Sequence, residues 1–187
     1  MIRTKEEFLQ LVNIDEDMMH LLKTVKSLHL PDWWVCAGFV RSKIWDYQHG
    51  FKEKSKLPDV DVIYFHKSMD KESEDVRIEE HLKSLHPDVP WSVKNQARMH
   101  LKNGFTPYQS SYDAISKFPE TATSLGLSLD KKDNLVLAAP HGLEDAIHME
   151  VRPTPYFKHT HRIHIYTNRV KKKNWQDHWH NLTIYMP

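Results

Sequence analysis

The sequence predicts a small mixed α/β domain, on three observations. A short apolar run, Trp33-Trp34-Val35-Cys36-Ala37, reaches Gly38 and passes into Val40, Ile44, Trp45 and Tyr47 at helical spacing up to Gly50. Asp59-Val60-Asp61-Val62-Ile63-Tyr64-Phe65 alternates like a strand, with Val60 and Val62 on one face and Asp59 and Asp61 on the other. Apolar residues at 40% and charged residues at 27% are an ordinary globular balance, and the tryptophans and phenylalanines supply a core.

The elements follow in order. Thr4 is placed to cap a first helix with Glu6 and Glu7 in its first turn. Phe8, Leu9 and Val12 share a face, and Met18, Met19, Leu21, Leu22, Val25 and Leu28 continue the helical pattern to Pro31. After the strand–glycine–helix unit at 33–50, a polar loop carries Lys52, Lys54 and Lys56 to the Asp59–Phe65 strand. Asp70 is placed to cap a charged helix over about 71–85, ended by Pro87 and Pro90. Trp91 to Val93 reads as a short strand, then a helical stretch runs through Ala97 and Leu101, and another over Tyr112 to Phe118. Leu125–Leu129 and Leu135–Ala139 read as a hairpin around Asp130 to Asn134. A short helix over 142–147, a strand over 148–151 and a basic, His-rich, mostly helical segment from His159 complete the chain.

Charge and cysteine usage exclude several classes. The 26 basic and 25 acidic residues leave no global field to gather nucleic acid. One cysteine excludes an internal disulfide and multi-cysteine zinc motifs, and Cys36, in an apolar run, reads as a buried inert thiol. His159, His161 and His164 lack a clear fourth ligand for zinc. The N-terminal MIRTKEEFLQ has no signal-peptide core, and no window approaches the ~20 apolar residues that span a bilayer, so a soluble, cytoplasmic protein without membrane partners is expected.

The chemistry is concentrated in two places. Two carboxylates on one face of an apolar strand repel each other in poor solvent. A divalent cation removes that penalty, and Mg²⁺ favours one or two carboxylates plus phosphate oxygens. The structural alternative makes one aspartate a turn cap and the other an exposed strand end. Upstream, Gly38 opens a helix whose free N–H groups suit a phosphate, with Arg41 one turn in as a bidentate partner. Lys94 to His100 is unusually polar: Lys94 or Arg98 reads as a phosphate contact and Asn95 and Gln96 as base or hydroxyl contacts, or else these side chains cap and tie loops. Glu144 and Asp145 read as favourable charges at a helix start. Lys171-Lys172-Lys173 with Arg169 and Trp175 reads as a solvated basic helix face, or as a surface for RNA phosphate and base stacking.

The runs Ala37-Gly38-Phe39-Val40-Arg41, Ile44-Trp45-Asp46-Tyr47 and His49-Gly50 precede Asp59-Val60-Asp61-Val62 and Tyr64-Phe65. Trp91, Val93 to His100, Pro119 to Thr123, Ala139 to Asp145 and Val151 to Pro155 then follow. In this order they resemble the bacterial nucleotidyltransferase-like family, formerly a domain of unknown function, over roughly 30–157. The resemblance implies the nucleotidyltransferase fold, a small mixed sheet with helices packed on it plus N- and C-terminal helices. It implies one domain over 1–187, with a core at about 30–157 and a basic helical extension at about 158–187.

It further implies Asp59 and Asp61 as catalytic residues and metal ligands, for Mg²⁺ or Mn²⁺, and Gly38 as part of the phosphate turn; Phe39, Arg41 and Lys94 are expected beside it as further nucleotide-binding residues. The expected activity is transfer of a nucleoside monophosphate from an NTP to an acceptor hydroxyl on a small molecule, a protein or RNA. In the family an acidic residue commonly follows the tryptophan matched by Trp91, and here Ser92 stands there. Asp88, Asp113, Glu144 and Asp145 are the candidates for a third carboxylate. The alternatives are a catalytically weakened nucleotide-binding or regulatory protein, and an RNA-binding module.

Overall fold

Local capping chemistry sets the N-terminal third of the molecule. The computed structural model describes residues 1–69 and 71–187, so the expected Asp70 cap lies outside the described residues. Thr4 and Glu7 form a reciprocal capping box on α1 (Lys5–Asn13). The helical pattern is broken at Asp15, which accepts from the Met18 N–H and starts α2 (Glu16–Lys26) afresh, and it ends at the Ser27 cap rather than running on to Pro31 as expected. Asp15 is also fixed by Lys43 and Lys54, each at 2.7 Å; burial pushes its carboxyl up, but these two ammonium groups hold it at about 2.

The central unit follows the sequence pattern closely. β1 (Trp34–Cys36) turns directly into α3 (Gly38–Gln48), and β2 (Val60–Tyr64) returns antiparallel to β1. α4 (Glu72–Leu85) leads to β3 (Trp91–Asn95), parallel to β2. Past α5 (Gln96–Asn103) and α6 (Ser111–Ser116), the hairpin β4 (Gly126–Leu129) and β5 (Leu135–Ala138) completes a mixed five-stranded sheet in the order β3-β2-β1-β4-β5. Its strands alternate between two unequal faces. Val35, Val60, Val62, Tyr64, Val93 and Leu127 join side chains of α1 to α4 in the main core. The opposite face carries only a small cluster, Cys36, Ile63 and Ala138 under Ile115 of α6.

The C-terminal quarter is less helical than its composition suggests. After α7 (Glu144–Ile147) and β6 (Glu150–Val151) come α8 (Pro155–Lys158) and α9 (Ile163–Lys173). The chain then makes a 3₁₀ turn at Trp175–Asp177 and ends in β7 (Thr183–Ile184), which pairs parallel with β6. The Tyr166 hydroxyl bridges the carbonyls of Val151 and Tyr185, at 3.0 and 2.7 Å. The Trp179 indole donates to Asp46 of α3 at 2.8 Å, and both aromatic rings of the turn, Trp175 and Trp179, are in the main core. No helix among the described residues is long and apolar enough to cross a membrane.

A buried polar knot fixes the β3 edge. Asp75 of α4, fully buried, accepts from Tyr64 Oη at 2.7 Å and the Asn95 N–H at 3.1 Å, and pairs with Arg98 of α5. Removing one member of such a pair strands a buried charge, at a cost of about 3–5 kcal/mol. Asp75→Ala is therefore expected to lower unfolding free energy by about 3 kcal/mol or more, read from urea denaturation, and by more than Tyr64→Phe, which removes one neutral hydrogen bond worth about 1 kcal/mol.

Candidate active site

Strand polarity gathers the candidate residues at one end of the sheet. β1 finishes where β2 and β4, both antiparallel to it, begin, and β3 begins beside β2. Cys36 is thus level with Asp61 and with Gly126, and Asp61 is level with Ser92. The α3 N-terminus, both aspartates and the segment just ahead of β4 converge there. Asp61 sits on the thinly covered face, together with Cys36, Ser92 and, one pair further along β3, Lys94.

Asp59 and Asp61 form an unrelieved like-charge pair. Burial first, and Asp59 second, push the Asp61 carboxyl up to about 6. The Ser92 hydroxyl and the positive charges of Arg169 and Lys173 act in the opposite direction and only partly offset this. The same aspartates, after burial itself, hold the Cys36 thiol protonated, which agrees with an inert role. Among the described residues no ion pair reaches either carboxylate, so the pair has room for a cation.

The turn into α3 is strained, though not at its glycine. Ala37 adopts φ 55° and ψ −113°, a conformation that a residue with a Cβ rarely takes. It is held by its N–H donating to Leu125 O at 3.0 Å and by its carbonyl accepting from Val40 and Arg41. Gly38 has a normal φ, and a Cβ added there would meet only Arg41 Nη2, at 3.6 Å. With Val40 and Arg41 bonded back to Ala37, the Gly38 and Phe39 N–H groups have no acceptor within the helix. The Phe39 side chain lies in the main core, so only its backbone faces the turn.

Arg41 is the most constrained charge of the site. It is 6% exposed and lies over Trp45, Trp175 and Trp179, at 4.9, 4.8 and 5.7 Å from the ring centroids. Its Nε has no hydrogen-bond partner. Burial lowers its pKa to about 10, while Glu120, Asp59 and Asp61 pull it back up and Arg169 pushes it further down. Glu120, fully buried just ahead of β4, accepts from Thr123 Oγ1 at 2.6 Å and lies 2.8 Å from Arg169 Nε of α9. That last contact is an ion pair too poorly aligned for a hydrogen bond.

The remaining expected residues divide. Asn95 is structural: its side chain bonds the backbone of His66, Met69 and Ala97, tying the loop after β2 to the start of α5. Arg98 is committed to Asp75, and Gln96 bonds the Lys94 carbonyl at 3.3 Å. Trp175 is buried against Arg41 and cannot serve as a stacking platform for a base. Asp113 is paired with Lys117, and Asp145 with Arg152. Glu144 folds back under the Gly142 turn and Asp88 is exposed, so none of the four is shown beside Asp61.

The residues not anticipated as a unit are Glu120, Arg169, Lys173 and Trp179. A signal existed for part of this. Tyr166, Arg169, Val170 and Lys173 follow the i, i+3, i+4, i+7 spacing of one helix face, and Tyr166 and Val170 are buried.

Among the described residues no group of three or more His, Cys, Asp or Glu side chains is arranged to hold an ion, the C-terminal histidines included. The aspartate pair nevertheless suits a divalent cation that completes its shell with phosphate and water oxygens, because two carboxylates meet at one end of the sheet and no ion pair reaches either among the described residues.

Comparison with known proteins agrees with this geometry. The sequence model of a nucleotidyltransferase family matches residues 23–184. A solved structure described as revealing a CCA-adding enzyme head domain is 36% identical, with TM-score 0.90 over 100% of this chain and 98% of that one. A CCA-adding enzyme in complex with CTP has TM-score 0.60 at 14% identity, covering 98% of this chain and 43% of that one. The Thermotoga maritima CCA-adding enzyme complexed with tRNA has TM-score 0.59 at 14% identity, over 98% and 42%. This chain therefore spans about two fifths of those enzymes, and they share its fold. No protein of curated function matches the sequence.

The Asp61 carboxyl sets a pH signature. Its folded value of about 6 lies above the ordinary 3.8, so its contribution favours the folded state below about pH 4 and is lost as pH rises through about 6. Asp61→Asn is neutral at every pH. In chelator-treated protein it is expected to be more stable than wild type by about 1–3 kcal/mol near pH 7.5, with the gain vanishing near pH 4, as thermal denaturation across pH will register.

Proposed function

The chain belongs to the nucleotidyltransferase family, and we propose that it transfers a nucleoside monophosphate from an NTP to an acceptor hydroxyl, with Asp59 and Asp61 as the catalytic pair. The observation that carries this reading is the under-compensated aspartate pair level with the free N–H groups of α3. In the reaction the acceptor oxygen bonds to the α-phosphorus, the bond from that phosphorus to the bridging oxygen breaks, pyrophosphate leaves, and the hydroxyl proton passes to a base. A divalent cation on the aspartates, Mg²⁺ or Mn²⁺, would supply charge neutralisation at the α-phosphate.

The chain's own groups divide the remaining work. The Gly38 and Phe39 N–H groups and the start of the α3 dipole bind phosphate oxygens. Arg41, held flat by three indoles, presents positive charge without a competing hydrogen bond at Nε. Lys94, on the Asp61 face, is the expected contact for the rest of the nucleotide. The acceptor is a small molecule, a protein or RNA, and the exposed Lys171 and Lys172 at the end of α9 leave an RNA acceptor open to test.

Ser92 favours a second reading, a nucleotide-binding protein with slow turnover. It stands level with Asp61 where the related pattern has an acid, and no third carboxylate joins the pair among the described residues. A serine hydroxyl neither neutralises a second cation nor accepts the acceptor proton as a carboxylate does.

Two measurements test these readings. Binding of a non-hydrolysable NTP by calorimetry is expected to need Mg²⁺, and Asp61→Asn is expected to weaken it about tenfold or more, the scale of one lost charge-assisted contact. Unchanged affinity in the folded variant would remove Asp61 from the site. Pyrophosphate release is expected to be slow in wild type and faster in Ser92→Asp. Brisk wild-type turnover that Ser92→Asp does not improve would instead assign the base to another residue.

A further inference from the structure

We propose that α9 is the second wall of the nucleotide site, with Arg169 and Lys173 binding the β- and γ-phosphates and Glu120 acting as the positioning residue for Arg169. The inference rests on the nucleotidyl-transfer reading and adds to it the part of the substrate that the C-terminal segment recognises.

Four observations converge on it. First, α9 is anchored by Tyr166 and Val170, and the same stripe carries Arg169 and Lys173, whereas Lys171 and Lys172 point away. Second, Arg169 Nε is buried 2.8 Å from a fully buried carboxylate, Glu120, which anchors the guanidinium, while the side chain stays about a third exposed and its Nη groups make no hydrogen bond among the described residues. Third, the charges of Arg169 and Lys173 both act on Asp61, and that of Arg169 on Arg41, as expected of groups that share the site with them. Fourth, the residues directly after α9, Trp175 and Trp179, close over Arg41, so helix and site are built as one piece.

The chemistry selects the ligand. Arg41, Arg169 and Lys173 set three positive charges against Glu120, Asp59 and Asp61. A cation added to the aspartates cancels their charge and leaves the three basic groups facing Glu120 alone, two positive charges in excess. A chain of phosphates running from the aspartates toward α9 balances that excess, and the leaving pyrophosphate is the part that carries most negative charge. A nucleoside monophosphate would reach only the α3 end.

The test compares a non-hydrolysable NTP, the matching NMP and free pyrophosphate, each with Mg²⁺, on wild type, Lys173→Ala, Arg169→Gln and Glu120→Gln. Lys173 is exposed, so its variant reports even if a buried-site variant fails to fold. Lys173→Ala and Arg169→Gln are each expected to weaken NTP and pyrophosphate about tenfold while changing NMP affinity less than about twofold. Glu120→Gln is expected to follow Arg169→Gln in this split, which a merely structural role would not produce. Wild type that binds NTP tightly, with Lys173→Ala unchanged or weakened equally for NTP and NMP, overturns the role of α9 and leaves the transfer reading standing. Wild type that binds neither NTP nor pyrophosphate overturns both.

Discussion

A guanidinium taken almost wholly out of water has to be compensated, and the burial of Arg41 is the constraint around which this molecule is arranged. Burial disfavours its charge, and three carboxylates together with three indole faces offset that only in part. Apart from Trp45 of α3 itself, those partners come from β2 and the residue ahead of it, from the segment before β4 and from the chain after α9, so one side chain draws together regions far apart in sequence. Arg41 itself is fixed by a backbone turn that Ala37 holds in a costly conformation, stabilised by hydrogen bonds to β4 and within α3. Strain, burial and like-charge repulsion are all concentrated at the same end of the sheet, which is where function rather than stability decides residue choice.

The opposite edge solves the same problem differently. There the buried charge is Asp75, and its partners Tyr64, Asn95 and Arg98 satisfy it directly. Both oxygens of the Asp75 carboxylate are bonded, with only Arg98 Nε left without a partner, and the knot holds β3 and the loop after β2 in register beside Asp61 and Ser92. The contrast separates two kinds of buried polar cluster. One pairs its buried carboxylate and stiffens the frame; the other leaves its two aspartates without an ion pair among the described residues and can take a ligand.

Much of this was legible locally. Thr4, the strand–turn–helix around Gly38, the alternation at Asp59 to Phe65 and the hairpin near Asp130 depend on neighbours within a few residues, and each appeared where the pattern put it. Asp15 was not read as a helix start, because apolar spacing continues across it and only its bonds to Met18, Lys43 and Lys54 break the helix. The polar run after Lys94 looked like a site because a sequence does not distinguish an asparagine that binds a ligand from one that ties loops. Glu120, Arg169 and Trp179 were illegible as partners for a physical reason: their contacts with α3 and with each other span from about fifty to more than a hundred residues, and no periodicity encodes such meetings. The β6–β7 pairing escaped for the same reason, since two-residue strands carry no alternation to read.

The closing turn over Arg41 also bears on the order in which the molecule is made. Trp179 meets Asp46 across 133 residues of chain, and the stretch from α9 to β7 is the last to be synthesised among the parts that touch the site. A ribosome-bound chain can form the β1–α3–β2 unit and its hairpin early, yet Arg41 then faces water without its indole wall. Contacts of such long range form late and slowly. Nascent or partly opened chains would thus carry the aspartates without a finished anion pocket, so competence would arrive only as the final segment docks.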